Sequence, residues 1–283
     1  MAKATNRPRS DFSAPTGARR APATHQVGSQ RHNRGMRIAV LCDIHGNLPA
    51  LQAVLAQVEE AEVDLVVFGG DVAAGPMPVE TIEALVSYGG RARFVRGNAD
   101  RFMVEIFDGA REAGEALDSW PATMLSRAHR DFLSSFERVV EVAVNGLGLV
   151  VCCHAGPDSD ELPIITPATP DEVIAEALAS THASLVVAGH THMQFDRRVA
   201  GRRMVNAGSV GMPYADQPGA YWALLGPEVD LRRTAYDFEV AAEAVLRTEF
   251  PERKDLAGGI VRPPTAEEAI TAFERMAGRT YPR

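Results

Sequence analysis

Five short polar motifs, each at the carboxyl end of an apolar run, constrain this chain more than any other feature. They are Asp43-Ile44-His45-Gly46-Asn47, Gly70-Asp71, Gly97-Asn98, His154-Ala155-Gly156 and Gly189-His190-Thr191-His192. Seven side chains in them are competent metal donors: Asp43, His45, Asp71, Asn98, His154, His190 and His192. Imidazole nitrogen, carboxylate oxygen and amide oxygen all ligate transition metals. Seven donors are too many for one ion and suit two ions that share a carboxylate. Paired ions of that kind activate water for attack on phosphorus.

Taken singly, each motif has a plainer explanation. Asp71 reads as a turn residue after a strand, and Asn98 as a left-handed turn residue. His154 reads as a satisfied core histidine. Asp43 and His45 lie two apart on extended backbone, so both face one way, but Asp-x-His arises by chance. Gly189-His190-Thr191-His192 is the most specific of the five. Their joint occurrence, in order and each at a strand end, favours one shared metal site.

The strand ends are read from periodicity. Arg37–Cys42, Asp64–Phe68 and Ala92–Val95 are short apolar runs of buried-strand type. Leu48–Val58 and Val79–Tyr88 carry helical stripes between them. Such strand–helix alternation implies parallel pairing, and ligand sites in open α/β sheets lie at the strands' carboxyl ends. Residues 100–137 read as helical, broken at Trp120-Pro121. Val139–Val144 and Leu147–Cys153 flank Asn145-Gly146, a hairpin signal. Thr169-Pro170-Asp171-Glu172 reads as a capping box opening a helix, and Thr265 with Glu268 as a second. Leu185–Ala188 is a strand leading into the last motif. Hairpins follow at Phe195–Val205 and Ala220–Asp237, then helices at Glu239–Arg247 and Glu267–Met276. Parallel strands followed by hairpins predict two packed sheets with helices outside.

Charge is unevenly spread. Residues 1–35 hold seven basic groups and Asp11, a net of +6, which leaves −14 for the rest of a chain of net −8. That segment lacks large apolar residues and is expected to be a disordered basic extension, with the catalytic body, residues 36–283, beginning near Met36. An acidic body argues against broad nucleic-acid binding. No apolar run approaches the ~20 residues that span a bilayer. Cys42, Cys152 and Cys153 lie in or beside apolar runs and are expected to be buried, reduced thiols. A cytoplasmic location is the corresponding expectation.

In this order, Asp-x-His, Gly-Asp, Gly-Asn, His and Gly-His-x-His resemble the calcineurin-like metallophosphoesterases. Asp43–Ala53 resembles the small bacterial and archaeal phosphodiesterase branch, as does Asn206-Ala207-Gly208-Ser209, with Ala207 where that branch has Pro. The resemblance implies an α/β fold, a four-layer αββα sandwich of two mixed sheets flanked by helices. It also implies that Asp43, His45 and His192 hold one divalent ion, that Asn98, His154 and His190 hold the other, and that Asp71 bridges them. Asp71, Asn98 and His154 are then the residues nearest the chemistry. Mixed imidazole and carboxylate donors suit two ions of Mn, Fe, Zn, Co or Ni type. The implied reaction is hydrolysis of a small phosphoester substrate, preferably a diester, by hydroxide held between the ions. A binding or scaffold subunit of the same fold, a protein phosphatase and a dinucleoside polyphosphate hydrolase are the alternatives. Many family members carry a His after the motif Asn; here Ala99 stands there, which removes a proton donor and costs ~10²–10⁴ in rate for poor leaving groups.

Overall fold

The computed structural model describes residues 35–280. Expectations for the basic tail through residue 34 lie outside the described residues. These described residues form one compact unit.

Strands β1 (Ile38–Leu41), β2 (Leu65–Phe68) and β3 (Ala92–Phe94) run parallel, joined by helices α1 (Leu48–Glu60) and α2 (Pro78–Ser87). A second sheet begins with the hairpin β4 (Val140–Val144) and β5 (Gly148–Cys152), turning at Asn145-Gly146. Strand β6 (Leu185–Ala188) joins β5 in parallel. The hairpin β7 (Phe195–Val199) and β8 (Arg202–Asn206) completes the sheet in the order β4-β5-β6-β8-β7. A last hairpin, β9 (Ala220–Leu225) and β10 (Val229–Thr234), returns to the first sheet and gives β10-β9-β1-β2-β3. Two mixed five-stranded sheets result; the patterning predicts the two sheets, and the resemblance their mixed character.

Alternation along each strand sorts side chains between layers. Ile38, Val40 and Cys42 of the β1 segment meet Val150, Cys152, Leu185 and Val187 in a core shared by the two sheets. Ala39 and Leu41 face the other way, into a core with α1, α2 and α3 (Asn98–Phe107). On the second sheet Val151, Cys153 and Val186 pack outward with Ile174 of α6 (Asp171–Ala177). The layers are therefore helix, sheet, sheet, helix. Cys152 and Cys153 fall on opposite faces, and all three cysteines are buried and free. No helix among the described residues is long and apolar enough to cross a membrane.

Two local expectations are corrected, and one helix is added. The 100–137 segment breaks on either side of α4 (Ala116–Met124), before α5 (Arg127–Ser134), and not at Trp120-Pro121, which sits inside α4. Proline removes one helical hydrogen bond, but Trp120 packs edge-on to Phe250 at 5.6 Å and anchors the helix. Thr169 does not cap α6. Its hydroxyl bonds the buried Glu274 carboxylate at 2.9 Å instead, and Pro170 takes the cap position. Helix α8 (Arg253–Val261) was not foreseen, because Gly258-Gly259 weakens its pattern. It packs on α7 (Phe238–Leu246) through Leu256, Ala257 and Ile260.

Helix α9 (Ala266–Met276) begins at the expected capping box, with Thr265 accepting from Glu268 N at 3.2 Å. Its far end is pinned by Glu274, which accepts from Thr166 Oγ1 at 2.6 Å and from Arg279 Nε at 2.6 Å. Removing one partner from such a buried network is expensive. Glu274→Ala is expected to lower the urea-unfolding free energy by about 3 kcal/mol; a loss below about 0.5 kcal/mol would contradict the pinning role.

Candidate metal centre

All seven motif residues meet where the carboxyl ends of β1, β2, β3, β5 and β6 converge. The strands stop there because the backbone turns left-handed. Asp43, His45, Asp71, His190 and His192 have φ of +54°, +47°, +52°, +69° and +59°. Each such non-glycine residue costs roughly 1–2 kcal/mol, so the turn persists only where surrounding contacts over-determine it. Those contacts are backbone bonds between loops: Asp43 N to Gly70 O, His45 N to Asp71 O and Gly189 N to His154 O, each 3.0 Å.

Two donor groups form. Asp43, His45 and His192 offer atoms all within 4.8 Å of one another, as do Asp71, His154 and His190. Asp71 Oδ2 lies 3.2 Å from His154 Nε2 and 3.9 Å from His45 Nε2, so it stands between the groups. Asn98 Oδ1 is 3.2 Å from His154 Nε2. No sequence-derived candidate is left outside the pocket.

Hydrogen bonds fix the imidazoles. His45 Nδ1 donates to Ala74 O at 3.0 Å, His154 Nδ1 to Gly69 O at 2.8 Å, and His192 Nδ1 to Met212 O at 2.7 Å. A carbonyl only accepts, so in each neutral ring the lone pair sits on Nε2, facing the pocket. Yet His45 Nε2 and His192 Nε2 are 3.2 Å apart. Two lone pairs at that separation repel unless a cation or proton lies between them. Asp43 Oδ1 is buried with no hydrogen-bond partner, although buried polar atoms are normally satisfied. Both observations fit a cation held by these residues.

Electrostatics point the same way. Burial penalises the charged form of Asp71, but His154 and His45 hold its carboxyl well below the usual range. Burial likewise opposes a charged His154, yet Asp71 and Asp43 push it up to about 10. His192 is raised through Asp43 against its burial. Burial and the neighbouring His154 lower His190 to about 4. The two carboxylates thus draw positive charge into the pocket.

Supporting residues were harder to read. Asp100 accepts from Asp71 N at 2.8 Å, Gly97 N at 2.9 Å and Val72 N at 3.0 Å, clamping two donor loops together. Burial and Asp71 push its carboxyl up to about 7 against the pull of those N–H groups. Ser209 Oγ donates to Asp43 O at 2.7 Å, and Val210 N to Cys42 O at 2.9 Å. The Asn206–Gly211 segment thereby holds the first loop from the far side. Gly97 and Gly189 are needed for space: an added Cβ would lie 2.0 Å from Asp71 Oδ1 and 2.4 Å from Asp43 Oδ2, respectively. Arg96 and Arg101 flank the Asn98 motif, and their guanidinium groups are engaged. Both bind Asp160, at 3.0 Å, and secure the loop after β5.

A cleft of about 480 Å³ opens above the donors. Its walls are Phe102 and Ile106 of α3, Leu117 of α4, Leu162 and Ile164 after β5, and Phe273 and Met276 of α9. Segments 100–137 and 155–168 supply most of the rim, and α9 closes the remaining side. A stack from His192 to Tyr214 (5.1 Å) and on to Phe273 (5.8 Å) ties α9 to the donors.

Residues 36–226 match the model of the calcineurin-like phosphoesterase superfamily domain. The chain belongs to that superfamily. An uncharacterized protein of Methanocaldococcus jannaschii is 25% identical over 237 residues, covering 76% of this chain and 94% of the relative. The crystal structure of a metallophosphoesterase from Sphaerobacter thermophilus is 25% identical, with a TM-score of 0.65 over 80% of this chain and 98% of its own. A hypothetical protein of Pyrococcus horikoshii shares the fold at 20% identity, with a TM-score of 0.70 over 81% of this chain and 99% of its own. The superfamily match ends at residue 226, and β10, α7, α8 and α9 lie beyond it.

Two outcomes test the centre. Gly97→Ala and Gly189→Ala should each weaken divalent-metal affinity at least about tenfold while the far-ultraviolet spectrum is kept, because displaced donors cost about that much. Calorimetric titration reads both. Since a proton stays on His154 up to about pH 10, a metal must displace it. Apparent affinity should therefore rise from pH 6 to pH 8, about tenfold per unit for each proton released. A flat profile would contradict the assignment.

Proposed function

We propose that this chain is a metal-dependent phosphodiesterase, with Asp43, His45 and His192 as ligands to one divalent transition-metal ion, Asn98, His154 and His190 as ligands to a second, and Asp71 shared by both. The observation that carries the reading is the pair of donor groups with Asp71 between them at the floor of an open cleft. Ions bound there would lower the pKa of a water and clamp phosphoryl oxygens during in-line displacement. The chain's own residues do the rest. Backbone carbonyls aim the histidine Nε2 atoms, Asp100 fixes the Asp71 and Asn98 loops relative to each other, and the apolar walls exclude water around the ester.

The wall charge favours a diester. Arg111 is the one cation lining the cleft among the described residues, against Glu115, Asp118 and Glu161. A singly charged diester meets less repulsion there than a dinucleoside polyphosphate. Ala99 and the engagement of Arg96 and Arg101 with Asp160 weigh against a protein phosphatase. Completeness of the donor set weighs against a purely scaffolding role. We take residues 36–283 as the catalytic unit, and a reducing, cytoplasmic setting accords with three free thiols.

Asp71→Asn should reduce manganese-dependent hydrolysis of bis(p-nitrophenyl) phosphate to background. Wild-type turnover of that diester should exceed, by about tenfold or more in kcat/KM, turnover of a dinucleoside polyphosphate. Retained activity in the variant, or the reverse preference, would overturn the reading.

A further inference from the structure

A phosphodiesterase that lacks a proton donor at position 99 still has to release a basic alkoxide. We propose that Asp118 is the general acid, protonating the leaving-group oxygen from the α4 wall of the cleft. The inference rests on the phosphodiesterase reading above and adds a catalytic residue to it.

Elimination within the cleft leads to Asp118. The carboxyl groups and imidazoles lining it are His45, Asp71, His190, Glu115, Asp118 and Glu161. His45, Asp71 and His190 belong to the donor groups. Glu161 is paired with Arg101 at 3.0 Å. Glu115 is exposed at the start of α4. Asp100, nearby, spends its carboxylate on three backbone N–H groups. Asp118 is half-buried, faces the same space as Asp71 and Asn98, and makes no side-chain hydrogen bond or ion pair to a described residue. An unpaired, half-buried carboxyl beside a reaction centre is poor at structural work and well suited to carrying a proton.

Its protonation state agrees with the geometry. A carboxylate in a first helical turn is ordinarily stabilised by the helix dipole. Here burial first, then Asp71 and Glu115, push it up to about 7 against the pull of Arg111 on the same cleft wall. Burial does not depend on what the donor groups hold. An acid near neutral pH is the effective range for general-acid catalysis.

The step balances. A water oxygen forms its bond to phosphorus and releases its proton to solvent. The phosphorus–oxygen bond to the leaving group breaks, its electron pair goes to that oxygen, and Asp118 supplies the proton that makes it an alcohol. Solvent then reprotonates the Asp118 carboxylate. No oxidant or co-reactant is needed.

A series of substituted-phenyl methyl phosphates, from p-nitrophenyl to unsubstituted phenyl, tests this with Asp118→Asn. The loss in kcat should grow with leaving-group basicity and reach about 100-fold at phenyl. Zinc titration should show the same stoichiometry in the variant as in the wild type. Independently of turnover, the ¹³C carboxyl resonance of Asp118 in the zinc-loaded protein, assigned by its loss in Asp118→Asn, should titrate above about pH 6, beyond the usual aspartate range. An equal loss across the series, no loss, or titration near pH 4 would overturn the proposal. A wild-type chain that binds metal but hydrolyses none of these esters would overturn the phosphodiesterase reading, and this inference with it.

Discussion

Burying Asp43 and Asp71 side by side beneath two sheets costs several kcal/mol per charge unless positive charge meets them. Four imidazoles close in on them, and three are locked through Nδ1 to backbone carbonyls. The rings therefore cannot rotate away from one another. His45 and His192 face each other nitrogen to nitrogen, and Asp43 Oδ1, 3.4 Å from His192 Nε2, accepts no hydrogen bond. The arrangement is tense as a set of side chains, and a cation held among them would relieve it. That tension gives the fold around it its purpose.

The two sheets work as a vice on this cluster. Their shared core, with Ile38, Val40, Val150, Leu185 and Val187 fully or almost fully buried, sets where the strand ends of each sheet stop. Asp43, His45, Asp71 and Asn98 arrive from one sheet, and His154, His190 and His192 from the other. Five left-handed turns at the donors are held by loop-to-loop backbone bonds, by Asp100 and by Ser209. Strain at the site is thus offset by the hydrogen bonds that tie the donor loops to one another.

Much of this was legible in the sequence, for physical reasons. Short apolar runs mark the strands and the motifs fall at their ends, which gives two sheets and a shared site; the four-layer sandwich and the grouping of the seven side chains came from the family resemblance. What stayed hidden depends on tertiary context. Thr169 looked like a cap until Glu274, more than a hundred residues away, took its hydroxyl. Pro121 looked like a break until Trp120 found Phe250. Helix α8 was masked by two glycines. Asp100 was visible as a residue but not as a three-way acceptor, because two of its partners, Asp71 N and Val72 N, lie almost thirty residues before it in the chain. The contribution of α9 to the cleft rests on the Tyr214–Phe273 contact, which no periodicity encodes.

The central claim is that one pocket holds two cations through a shared Asp71. Anomalous diffraction from crystals grown with zinc tests it directly. The account predicts two peaks, one at Asp43, His45 and His192 and the other at Asn98, His154 and His190, each within coordination distance of Asp71. A single peak, or two peaks with Asp71 bound to neither, would contradict it.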